Sequence, residues 1–65
     1  MNVEEIGVNA GKVWQALSNG LSSVKDVKKA TKLNDKQIFA AIGWLAREGK
    51  LNVSEADKEV FINLI

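Results

Sequence analysis

The apolar residues of this chain change their period once, at Gly49. Before it they recur at three- and four-residue steps, the spacing of one helix face. After it "KLNVS" and "EVFINLI" alternate, as strands do, around the turn "EADK". A fold for this sequence must therefore join helices, in the longer first part, to one β-hairpin at the end.

Within the helical part three segments separate. Asn2 is a plausible N-cap with Glu5 three residues on, a variant of the capping box, and Gly20 is placed to stop the helix that follows. Val3, Ile6, Ala10, Val13 and Leu17 form its apolar stripe, with Trp14 beside it. Gly7 and Gly11 lie one turn apart, each costing about 1 kcal/mol in helix propensity relative to Ala, so a close approach of another backbone is expected there. A shorter helix starts after Ser22 or Ser23 and turns Val24, Val27, Ala30 and Thr31 inward. "TKLN" breaks the pattern, Asn34 caps "DKQIFAAIGWLARE", and Gly49 closes it. The expected spans are helices at 2–19, 23–32 and 34–48 and strands at 50–54 and 59–64. The expected core joins Val13, Leu17, Val27, Ile38, Ile42, Leu45, Leu51 and one face of the last strand. Phe39 is expected in that core as well. For Trp44 two places stay open, in the core beneath the hairpin or at a surface that binds a partner.

The sequence has 65 residues, enough for a single domain over 1–65 and near the lower limit for an unaided core. Cysteine and histidine are both absent, which rules out disulfides, the usual Cys/His zinc sites and imidazole catalysis. No metal or cofactor is expected. "MNVEEIG" is acidic where a secretory signal is basic, and no apolar run approaches the roughly 18 residues of a membrane span. These readings predict a cytoplasmic protein with no membrane partner.

The formal charge of +1 hides a gradient. Residues 1–24 carry Lys12 against Glu4 and Glu5, while residues 37–65 carry Arg47, Lys50 and Lys58 against Glu48, Glu55, Asp57 and Glu59. Between them Lys25, Lys28, Lys29, Lys32 and Lys36 face only Asp26 and Asp35. At about 100° per residue Lys25, Lys29 and Lys32 share one arc of the second helix, with Lys28 at its edge.

The short helix with Val24 and Val27, the turn through Leu33 and Asn34, and the series Ile38, Ile42, Leu45, Gly49 and Leu51 resemble the winged helix-turn-helix superfamily. "GVNAGKVWQAL" followed by "AIGWLAREGKL" is similar to a family of short bacterial winged-helix proteins of uncharacterised function, over nearly the full length. The resemblance implies a mainly α fold, a three-helix core plus a two-stranded wing, and by analogy DNA binding of the transcription-regulator type. In such proteins the third helix enters the major groove, the second lies on the backbone and the wing touches the flanking groove.

Lys25, Lys28, Lys29, Lys32 and Lys36 suit phosphates, and a solvated lysine face is the plainer reading of the same residues. On the third helix Lys36, Ala40, Gly43 and Arg47 make the outward line, with Gln37 and Trp44 beside it. Only Lys36, Gln37 and Arg47 carry groups that read base edges. The wing is acidic at Glu55, Asp57 and Glu59, and should repel phosphates within a Debye length of about 8 Å. Its alternate carboxylates lack the glycine and glutamate of a calcium loop. "GVNAGKV" is one residue short of a phosphate-binding loop, and no serine has a histidine to activate it. The chain therefore reads as non-catalytic.

The leading reading is a weak binder of double-stranded DNA using Lys25, Lys28, Lys29, Lys32, Lys36, Gln37 and Arg47. The alternative is a protein-interaction or self-association module using Ala40, Gly43, Trp44, Phe61 and Ile65. Val60, Ile62 and Leu64 point one way and Phe61 and Ile65 the other, so the second sheet face, or the strand edge, is expected to want a partner. A two-fold homodimer is the simplest form.

Overall fold

A computed structural model describes residues 1–65. In chain order it contains α1 (Val3–Ser18), α2 (Val24–Thr31), α3 (Asp35–Arg47), β1 (Leu51–Ala56) and β2 (Glu59–Leu64). Three helices and an antiparallel hairpin are the architecture expected from the change of period.

Each helix begins on a side chain that satisfies a free backbone donor. The Glu5 amide donates to Asn2 Oδ1 (2.8 Å) and the Asp26 amide to Ser23 Oγ (3.1 Å). At α3 the box is complete: the Gln37 amide donates to Asn34 Oδ1 and the Asn34 amide to Gln37 Oε1. The two long helices end alike. Gly20 (φ 100°) and Gly49 (φ 71°) take the left-handed conformation that glycine adopts without a Cβ clash. Beyond each, Leu21 donates to the Ala16 carbonyl and Lys50 to that of Leu45, closing Schellman motifs. Helix α2 ends instead on Lys32, also left-handed at φ 59°.

One core holds these elements together. Val13 and Leu17 from α1, Val27 from α2, Ile38, Ile42 and Leu45 from α3, and Leu51 and Ile62 from the hairpin are buried together with Ala10, Ala16, Leu33 and Ala41. Full burial of an aliphatic side chain contributes about 1.5–3 kcal/mol, the main favourable term in a chain without cross-links.

In the hairpin Leu51 pairs with Leu64, Val53 with Ile62, Ser54 with Phe61 and Ala56 with Glu59. Only Asp57 (φ 50°) and Lys58 (φ 65°) lie between the strands. Two left-handed residues form the tight turn whose twist matches the strands, so β1 runs two residues past the predicted 54. The far edge of β2 is covered by its own chain, since Ser23 bridges Phe61 and the Ile62 amide donates to the Ser22 carbonyl (2.6 Å). The exposed edge therefore belongs to β1 and not to the last strand.

Four expectations are corrected. Val3 is exposed because the buried residues of α1 run from Asn9 to Leu17, and its first turn overhangs the core. Ala30 is exposed beside a shallow depression between α1 and α2, where two turns of helix turn only Val27 fully inward. Phe39 is 50% exposed because Ile38, Ala41, Ile42 and Leu45 already fill the inner arc of α3. No backbone approaches Gly7 or Gly11: a Cβ built at either meets nothing within 4 Å.

Candidate nucleic-acid interface

Helix α2 has a single fully inward residue, Val27, so most of its circumference is free for solvent. Lys25, Lys29 and Lys32 are exposed and Lys28 is half-buried. All four line one open depression with Leu33. Lys28 Nζ lies 2.7 Å from an Asp35 carboxylate oxygen, while Lys25, Lys29 and Lys32 have no ion-pair partner. Three unpaired ammonium groups on one face make a local positive potential that the overall charge conceals.

Helix α3 presents Lys36, Gly43 and Arg47 to solvent, with Ala40 half-buried on the same line. Its ends are basic and its middle is small, so a backbone can approach the centre while the ends supply charge. Gln37 is less free. Its Oε1 accepts from the Asn34 amide (3.0 Å), which leaves only the amide nitrogen to reach outward.

The two flanks of α3 differ. On one, Phe39 lines a depression of about 330 Å³ with Val24, Lys25 and Lys28 from α2 and Lys58, Glu59 and Val60 from the hairpin. The turn thus places its only cation against the α2 lysines, a convergence the sequence pattern does not show. On the other flank, half-buried Trp44 lines a groove with Gly7, Ala10, Gly11 and Trp14 of α1 and with Glu48 and Lys50.

The five residues considered for a protein interface do not gather. Ala40 and Gly43 lie on the outward line of α3, and Trp44 faces α1. Phe61 is half-buried and Ile65 is 77% exposed, both on the sheet face turned away from Leu51 and Ile62. That face also carries Asn52, Ser54, Glu59 and Asn63 by register, so it is more polar than the ending "VFINLI" suggests.

The helix pair α2–α3, packed against α1 and followed by a hairpin, defines a winged helix-turn-helix domain. The chain belongs to the family DUF2582, described as a winged helix-turn-helix domain, whose model matches residues 1–64. It is similar to the uncharacterized protein MJ1608 of Methanocaldococcus jannaschii, with 38% identity over 63 residues, 92% of this chain and 90% of that one. Its fold matches the solution NMR structure of protein BT2368 from Bacteroides thetaiotaomicron with a TM-score of 0.86. That match has 32% identity and covers 98% of this chain and 79% of the other.

Proposed function

We propose that this chain is a non-catalytic winged-helix module that binds double-stranded DNA weakly and with little sequence preference, as modules of transcription regulators do. The observation that carries this reading is the shared open face of Lys25, Lys28, Lys29 and Lys32 on α2, with Lys36 and Arg47 exposed on α3 as further cations. Each ammonium or guanidinium group that meets a phosphate releases counterions, and such contacts account for affinities of about 10⁻⁴–10⁻⁶ M at physiological salt. Sequence discrimination is small because Ala40 and Gly43 occupy the centre of the line where base-reading side chains would stand. A DNA partner agrees with the cytoplasmic location expected from the sequence, and no helix is long and apolar enough to cross a membrane. Anisotropy of a labelled random duplex tests the reading. Salt-sensitive binding supports it, and no change even at about 50 mM salt overturns it.

A second reading, self-association, draws on the groove between α1 and α3. Trp14 is 44% exposed there, beside two glycines over which a second copy of the helix can pack closely. Tryptophan is enriched at interface centres, and a small chain without cross-links gains from burying it. Sedimentation showing only monomer at about 0.5 mM overturns this second reading.

A further inference from the structure

We propose that the depression between α2, α3 and the hairpin tip receives an unpaired nucleobase, stacked on Phe39, with Lys25, Lys28 and Lys58 meeting the flanking phosphates. The inference rests on the reading of the lysine face as a nucleic-acid surface and adds a preference for duplexes with a single-stranded end.

Three features of the depression point to a base. First, Phe39 stands half exposed although α3 has an apolar core arc beside it, and Val24 and Val60 extend its apolar floor. Single-strand binders combine such an aromatic face with a cationic track for the backbone. Second, the lining is chemically mixed: Lys25, Lys28 and Lys58 stand with the carboxylates of Asp35 and Glu59. Phosphates take the cations, the ring takes a base, and carboxylates accept from the exocyclic amines of cytosine, adenine or guanine. The side chains of an acidic peptide offer those two carboxylates no donor, whereas a base offers its exocyclic amine. Third, the depression is open and not enclosed, so a base carried on a strand can enter it from the surface.

Lys58 supports the same assignment. It sits at φ 65° in the second position of a two-residue turn, where glycine is favoured. A left-handed lysine that lines the same depression as Phe39 is the kind of local cost that accompanies function. The Lys28–Asp35 pair is no obstacle, because its side chains are 44% and 72% exposed and a solvated ion pair exchanges readily for phosphate.

The test compares a blunt labelled duplex with the same duplex carrying a short overhang of mixed sequence, using anisotropy at low salt. The wild-type chain should bind the overhang substrate roughly 5- to 150-fold more tightly, the worth of one base–aromatic stack. Phe39→Ala should remove that preference and leave blunt-duplex affinity within about twofold, and Phe39→Tyr should keep it. Equal binding of both substrates by the wild type, or a preference that Phe39→Ala leaves unchanged, overturns the proposal while the duplex reading stands. If neither substrate binds, both readings fall. If an acidic peptide competes for the site and the overhang does not, the depression is a peptide site and the proposal is wrong.

Discussion

The two flanks of α3 each carry one aromatic residue, and everything around the two rings differs. Phe39 lines its depression with Lys25, Lys28 and Lys58. Trp44, little more than one turn further on, is bordered by Gly7, Gly11 and Trp14. The helix is the same in both cases, so the chemistry of each flank is set by the element opposite: a lysine-bearing helix on one side and a glycine-bearing helix on the other. A cationic aromatic site favours nucleic acid, and a groove of two tryptophans and two glycines whose charges, Glu48 and Lys50, balance favours another polypeptide. One small domain can hold both surfaces because α1 and α2 lie against different flanks of α3.

The largest expected effect is on the cationic side. Lys25→Glu, Lys29→Glu and Lys32→Glu together should lower duplex affinity roughly a hundredfold or more, read by anisotropy at low salt. The fold should survive, since all three side chains are exposed. Reversed charge near the C-terminus of α2 opposes the helix dipole and should cost about 0.3–1 kcal/mol for each affected residue. If the triple variant binds as the wild type does, the lysine face is only a solvated face and the contrast between the flanks loses its functional half.

Stability separates the two aromatics next. Trp44 packs against the core, so Trp44→Ala should cost about 1–3 kcal/mol, below the range for a fully buried ring, and lower the melting temperature by several degrees. Phe39→Ala should cost less than about 1 kcal/mol because half of the ring is already in water. Equal losses in thermal denaturation would show that Phe39 is a core residue after all.

The smallest effects come from the backbone. Gly7→Ala and Gly11→Ala should each stabilise the monomer by about 0.5–1 kcal/mol, because the new methyl enters open space on a helix. If a second copy packs over these glycines, the same changes should weaken self-association in sedimentation. Lys58→Gly should raise stability by about 1 kcal/mol by relieving the left-handed lysine, while weakening any preference for an overhang. A variant less stable than the wild type would mean that the turn is not strained.

Much of this fold is legible in the sequence because period and caps agree. The stripe through Val13 and Leu17, the cap at Asn34, and the stops at Gly20 and Gly49 each specify local structure, and Val13, Leu17, Val27, Ile38, Ile42, Leu45 and Leu51 are buried as expected, while on the inner face of the last strand only Ile62 is, with Val60 half-buried and Leu64 exposed. The misplacements arise where a helical wheel has an edge. Phe39 stands one residue from Ile38, and only the competition of four inner residues for one arc pushes it outward. Gly7 and Gly11 signal a close approach by propensity alone, yet whether anything fills the space depends on the reach of α3, which spacing does not encode. The lysine arc could be read directly because it belongs to one helix. The convergence of Lys58 with Lys25 could not, because it depends on a two-residue turn and on the bridge from Ser23 to Phe61 that fixes where the hairpin lies.

The salt dependence of binding to a random duplex tests the central claim most directly. If Lys25, Lys28, Lys29, Lys32, Lys36 and Arg47 meet phosphates, log K should fall linearly with log salt at a slope between about −3.5 and −5.5, as for about four to six neutralised phosphates. The triple lysine variant should give a visibly shallower slope. A slope near zero, or no binding at about 50 mM salt, would contradict the assignment of this face to nucleic acid.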